Sequence, residues 1–314
     1  MKSVGQKRIV NTVKKDNGQR RIKKMAETFN EAVEAIDDPR TREVDYPLSE
    51  ILFIALVAVL CGSESYYDIA SFGETQIKWL KKFFSIKSGT PSHDTFRRVF
   101  QLLRPESLEK AYRLLIEGLK IRHTKHIAID GKTSRGCYNI KGQCLLHVVS
   151  AWDTENGIAL GQVATKNDEG KDVGEYNTIP KLIKSLDVQE ALVTIDAGGC
   201  YTEIVDTVIK ENGHYLITLK DNQPTLLNEA KVVFSELESK GFEEVERYQE
   251  SERGHGRLEE RTYYAVPVPP DSAARQKWQN LETFVMGVFH RDVKGKRSEE
   301  IRYMISDLKA DQVQ

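Results

Sequence analysis

Two aspartates close short apolar runs and are followed at once by small residues. Asp130 ends Ile127-Ala128-Ile129 and precedes Gly131; Asp196 ends Leu192-Val193-Thr194-Ile195 and precedes Ala197. Short apolar runs of this kind read as buried strands, and open α/β sheets bind their ligands beyond the carboxyl ends of strands. If the two strands are neighbours, both carboxylates emerge at one edge. Two negative charges that close repel strongly unless a divalent cation neutralises them, and hard oxygen ligands suit Mg²⁺ or Mn²⁺. An aspartate at a strand end before glycine is also a turn former that caps backbone N–H groups, and the sequence leaves both roles open. Lys132 and Lys220 each follow a predicted strand, where a lysine either contacts nucleic-acid phosphates or faces water.

The elements that must position these residues form an α/β sheet of mixed direction. His126–Asp130, Leu145–Trp152 and Ile158–Thr165 read as strands, the last two joined by the turn-forming Asp153-Thr154-Glu155-Asn156-Gly157. A helix over Ile179–Leu186 leads to the strand Ala191–Ile195. A helix over Tyr201–Asn212, a strand over His214–Leu219 and a helix from Pro224 to Lys240 follow. Residues 245–305 change to β-rich segments, Arg261–Val268, Thr283–His290 and Glu300–Ile305, with the pattern of an all-β insertion or appendage. Trp79, Trp152 and Trp278 read as core or interface aromatics.

Upstream, residues 37–122 have helical periodicity. Pro47 opens a buried helix that Gly62 ends, a second runs from Tyr66 to Phe84 with a break near Gly73, Ser92 caps a third over Asp94–Leu103, and Pro105 starts a fourth. Helix, turn and short basic helix is the outline of a helix-turn-helix reader, with His93, Arg97 and Arg98 as DNA-contact candidates; it is equally the outline of a plain bundle whose arginines are solvated.

Composition narrows the class. The 314 residues hold 46 Lys+Arg against 47 Asp+Glu, yet residues 1–24 alone carry a net +8, a basic arm over 1–36 able to bind phosphates or to remain a solvated terminus. The longest apolar stretch, Ile51–Cys61, falls short of the roughly 20 residues that a bilayer needs, and no apolar leader follows the basic N-terminus, so neither a membrane protein nor a secreted one is expected. Cys61, Cys137, Cys144 and Cys200 have no paired spacing, which argues against a zinc site or a disulfide framework and suits a reducing cytoplasm.

Several motifs in one order carry a resemblance. Asp38-Pro39-Arg40, Tyr46-Pro47-Leu48, Asp68-Ile69-Ala70-Ser71-Phe72-Gly73, Pro91-Ser92-His93-Asp94-Thr95-Phe96-Arg97-Arg98, Ala128-Ile129-Asp130-Gly131-Lys132-Thr133, His147-Val148-Val149-Ser150-Ala151-Trp152, Thr194-Ile195-Asp196-Ala197 and Leu219-Lys220-Asp221-Asn222-Gln223-Pro224 span most of the chain from Asp37 onward. In these the chain resembles bacterial insertion-sequence transposases of the DDE superfamily, the H-repeat-associated group. The resemblance implies a helical N-terminal domain over 37–122 and a ribonuclease-H-like catalytic domain over 123–314. It makes Asp130 the first acid and Asp196 the second, Mg²⁺ or Mn²⁺ the cofactor, and double-stranded DNA, as element ends and as target, the partner, with homo-oligomer contacts allowed. It also implies a third acid on a late helix after the β insertion, and nothing after Tyr303-Met304-Ile305-Ser306-Asp307 matches that helix. The expectation is a C-terminally truncated copy that binds DNA and cleaves it poorly, with Glu259 as the in-chain substitute, in a predicted hairpin beside Arg257 and Arg261. Glu175 matches a further acid of the family, although the preceding Asp168–Gly174 loop departs from the family pattern. Two rivals stand beside this reading: a catalytically dead DNA-binding remnant, and a phosphotransferase using the Asp130 strand end. The latter wants an acid two residues on, where this chain has Lys132.

Overall fold

The computed structural model describes residues 23–41, 44–118, 125–134, 146–166, 171–243, 245–254, 257–293 and 296–313. The chain divides into two units, Met1–Arg122 and His123–Gln314. Of the basic arm, residues 1–22 lie outside the described residues, as do Cys137, Cys144 and residues 167–170.

The first unit is helical: α1 (residues 23–34), α2 (Leu48–Leu60), α3 (Tyr66–Leu80), α4 (His93–Leu102) and α5 (Pro105–Gly118). Apolar residues lie on several faces of α2, so Ile51, Leu52, Ile54 and Ala58 bury against Phe29, Ile69, Phe96 and Val99 from the other helices. Gly62 follows at φ +94°, a left-handed conformation that glycine adopts without a Cβ penalty. At the start of α3, Ser65 and Asp68 cap each other's backbone N–H groups. The break expected near Gly73 is absent. α3 passes through it, and a Cβ there would stand 2.5 Å from Thr90 Cγ2 and 3.1 Å from Ile54 Cγ2, so the glycine permits a close approach. Ser92 caps α4 by accepting the Thr95 N–H, as its position predicts.

The second unit is α/β. Its elements are β1 (His126–Thr133), β2 (His147–Asp153), β3 (Ile158–Ala164), α6 (Gly174–Ile183), β4 (Leu192–Ile195), α7 (Thr202–Lys210), β5 (His214–Leu219), α8 (Pro224–Ser239), β6 (Glu246–Gly254), β7 (Arg257–Pro267), α9 (Ala273–Lys277), β8 (Thr283–Val293) and β9 (Lys296–Ser306). The nine strands among the described residues form one sheet in the order β3-β2-β1-β4-β5-β9-β8-β7-β6. β1, β4 and β5 are parallel and every other pairing is antiparallel. In the β2–β3 turn the buried Asp153 accepts the N–H groups of Glu155 and Asn156, and Gly157 takes φ +68°.

Alternation along the parallel strands sends Ile127, Ile129, Val193, Ile195, Tyr215 and Ile217 to one face, where Ile179, Leu182, Ile204, Val208 and Phe234 of α6–α8 cover them. The β-rich stretch continues this sheet. β9 pairs with β5 from Leu216↔Ser306 to Leu219↔Tyr303, Ser306 Oγ donates to the Tyr215 carbonyl at 2.7 Å, and Asp307 accepts the Tyr215 N–H at 2.7 Å. β6, absent from the sequence reading, is a polar edge strand without the alternation that marks a half-buried one. Trp278 is buried as expected, whereas Trp79 and Trp152 are 42% and 46% exposed and belong to no core.

Candidate active site

β1 and β4 are parallel neighbours paired from His126↔Leu192 to Ile129↔Ile195. The next residue on each strand is an acid, so Asp130 and Asp196 stand side by side at the carboxyl edge on strands about 4.8 Å apart. Both are exposed. β1 runs on beside β2 to Thr133, while β4 stops at Ile195 and the chain turns through a 3₁₀ segment, Ala197–Gly199. Asp196 Oδ1 accepts the Gly198 N–H at 2.9 Å, so one oxygen forms the turn and Oδ2 has no protein partner among the described residues. Asp130 has Lys132 Nζ at 3.7 Å from Oδ2, a contact between two exposed groups and therefore weak.

The loop after β5 fixes the Asp196 turn from the other side. Asn222 Nδ2 donates to the Ala197 carbonyl at 2.8 Å, and Gln223 Nε2 to the Cys200 carbonyl at 2.9 Å. Lys220, the residue of this loop that the sequence marks as a candidate, is exposed; the two amides that fix the turn belong to the same Leu219-to-Pro224 motif. Cys200, between turn and α7, is buried, and burial pushes its thiol up to about 12.

A third carboxylate reaches this edge from below. Glu175 lies in the first turn of α6, where His147 Nε2 on β2 meets its Oε1 at 2.7 Å, and Thr133 Oγ1 on β1 meets His147 Nδ1 at 2.9 Å. The neutral ring satisfies both when Thr133 donates to Nδ1 and Nε2–H donates to Glu175. Just upstream, Asp172 accepts the Gly174 N–H at 2.9 Å, which holds its carboxyl below the usual carboxylate range. A Cβ at Gly131 would overlap Glu175 Oε1 and stand 2.9 Å from His147 Nε2; a Cβ at Gly198 would stand 3.1 Å from both Glu175 Oε2 and Asp196 Oδ1. Glycine at both positions makes room for the carboxylate. The helix expected from Ile179 starts five residues earlier, at Gly174, which puts Glu175 in its first turn, and Pro180 is buried inside it.

The other sequence candidates lie elsewhere. Glu259 is in β7, where its carboxylate meets Arg257 Nε at 3.1 Å, Arg261 Nη2 at 3.0 Å and Arg291 Nε at 3.5 Å. On α4, Arg97 pairs with Asp94 at 3.2 Å, Arg98 Nε donates to the Asp94 carbonyl, and the His93 ring stacks on Tyr67. Both arginines are exposed. The face of the sheet opposite α6–α8 carries a groove of about 820 Å³ between His126, Thr194 and Thr218 on one side and Arg261, Phe289 and Arg302 on the other. Sequence reading did not show it. His126 Nε2 meets Thr194 Oγ1 there at 2.9 Å, and burial lowers its pKa.

The donor chemistry at the strand ends, hard carboxylate oxygens with glycine neighbours, fits Mg²⁺ or Mn²⁺. Among the described residues no three His, Cys, Asp or Glu side chains already stand as a coordination group.

Strands ordered β3-β2-β1-β4-β5, with helices between the parallel ones and acids just past the paired stretch of β1 and β4, define a ribonuclease-H-like α/β protein. The chain belongs to the family of the transposase DDE domain, whose model matches residues 122–287; the DDE_Tnp_1-associated model matches residues 30–116. The H repeat-associated putative transposase YhhI of Escherichia coli K12 is 33% identical over 296 residues, 90% of this chain and 76% of that protein. An uncharacterized protein in the dhlA 3′ region of Xanthobacter autotrophicus is 32% identical over 285 residues, 88% of this chain and 94% of that one. YbfQ of Escherichia coli K12, named an inactive transposase, is 42% identical over 57 residues, 18% of this chain and 68% of that protein. No helix among the described residues is long and apolar enough to cross a membrane.

Proposed function

We propose that this chain cleaves and rejoins DNA phosphodiesters at the ends of an insertion sequence, with Asp130 and Asp196 as the acids that hold Mg²⁺ or Mn²⁺. The observation that carries this reading is the in-register pairing of β1 with β4, which brings two acids 66 residues apart in sequence to one edge. A bound divalent ion supplies charge neutralisation at the attacking and leaving oxygens of an in-line displacement. The chain's own groups bind and orient. Asp130 and Asp196 present carboxylates from rigid strands, Asn222 and Gln223 hold the turn that Asp196 caps, and Lys132 and Lys220 flank the edge where a phosphate backbone would lie. Arg97 and Arg98 offer exposed guanidiniums to DNA from the helical unit.

The test is nicking of supercoiled DNA that carries the element's own ends, with Mg²⁺ or Mn²⁺, beside Asp130→Ala. Cleavage by the unaltered chain that disappears in the variant supports the reading; cleavage that persists in the variant refutes the assignment. A second reading, a DNA-binding remnant that does not cut, draws on the lack of a ready three-donor group among the described residues. It predicts metal-independent binding to the same DNA and no nicking by either protein.

A further inference from the structure

We propose that Glu175 supplies the third negative charge of the cation site at Asp130 and Asp196. The inference deepens the proposed function and rests on it. Its ground is placement. Glu175 Oε1 lies under Gly131, the residue after Asp130, and Oε2 lies beside Gly198, in the turn that Asp196 caps, so one carboxylate spans the two chain segments that carry the aspartates. Its two oxygens are used differently. His147 holds Oε1 at 2.7 Å, and Thr133 on β1 in turn holds the ring; Oε2 has no protein hydrogen-bond partner among the described residues and faces the Asp196 side.

A carboxylate needed only to receive a histidine hydrogen bond would not require two neighbouring backbones to give up side chains. Here a Cβ at either glycine would crowd it. Oriented by an imidazole that is itself oriented by a hydroxyl, Glu175 has the support expected of a metal-binding acid, whose partners fix its direction. Mg²⁺ keeps several waters when bound, so the Glu175 charge acts whether Oε2 touches the ion or one of its waters. Glu259, the substitute that sequence reading offered, cannot serve: three arginines already surround its carboxylate.

The experiment is calorimetric titration of the full chain with Mn²⁺, without DNA, for the unaltered protein, Glu175→Gln, Asp130→Asn and Glu259→Gln, with thermal midpoints recorded for each. The amide introduced by Glu175→Gln keeps an oxygen for His147 and replaces the charged, free Oε2 with a neutral NH2. The expected result is at least a ~10-fold weaker Mn²⁺ affinity in Glu175→Gln at an unchanged midpoint, as in Asp130→Asn, with Glu259→Gln binding normally. Normal binding by Glu175→Gln, with Asp130→Asn impaired, overturns the inference and leaves the proposed function standing. Binding that is absent from the unaltered chain, or equal in all four proteins, overturns both. If Glu175→Gln fails to fold, Glu175→Asp replaces it: the charge is retracted by one methylene, affinity again falls, and affinity equal to that of the unaltered chain refutes the proposal.

Discussion

The second unit gathers carboxylates in two places on one sheet and treats them oppositely. On β6 and β7, Glu250, Glu252 and Glu259 converge on Arg261, and Arg257 and Arg291 also reach Glu259. The hydrogen bond that Arg261 donates to Glu250 leads the effects that raise its guanidinium above its usual range. At the β1 and β4 ends, Asp130 has one lysine at 3.7 Å, Asp196 a backbone N–H, and Glu175 a histidine. The first group is neutralised by the protein itself. The second keeps oxygens free and is bordered by glycines, as a site awaiting a cation would be. Exposure does not distinguish the two groups; what surrounds each carboxylate does.

The contrast can be broken by substitution. The largest expected effect is Asp196→Asn, which should lower metal-dependent DNA nicking by at least ~100-fold. Glu259→Gln should leave the nicking rate within about twofold, as for a change away from the reacting groups; a larger loss would move the catalytic acid to β7. Next, Gly131→Ala should cost about 1–3 kcal/mol in denaturant unfolding, because its Cβ overlaps Glu175. Gly254, at the end of β6, has no described residue within 4 Å of an added Cβ, and Gly254→Ala should stay within about 0.5 kcal/mol. Arg261→Ala strips a shared partner from the glutamates and should lower stability by about 1–2 kcal/mol while leaving Mn²⁺ affinity intact. The smallest effect concerns pH. The Asp172 carboxyl is held low in the folded chain by the Gly174 N–H, so its contribution is present above the ordinary carboxylate pKa and is lost as pH falls through the folded value. Urea midpoints of Asp172→Asn and the unaltered chain should therefore differ slightly at neutral pH and converge in acid.

Legibility in the sequence followed the local character of each signal. The β5 bounds, His214–Leu219, and the end of β4 just before Asp196 were readable because an apolar run followed by an acid and small residues has few other interpretations, whereas β1 runs three residues past Asp130 to Thr133, paired with β2. That β1 and β4 are neighbours was not, since strand order is set by packing across the core. Glu175 lies in the first turn of α6, ahead of the apolar run from Ile179 that marks the helix in the sequence; burial of Thr178, Ile179, Leu182 and Ile183 extends the helix upstream to Gly174. β6 has no apolar face to betray it, and its charges suit an edge strand that must not pair with another molecule. The β-rich stretch read as an insertion or appendage because no periodicity announces that β9 will join β5.

That junction sets an order on folding. β9 lies between β5 and β8, yet it follows the other eight described strands in the chain and leaves the ribosome after them. Until residues 296–306 are synthesised, β5 and β8 each present an unpaired ladder, and the nascent chain holds two half-sheets with sticky inner borders. Completion depends on contacts some ninety residues apart, so the final step should be slow and open to interference by any extended peptide that arrives first.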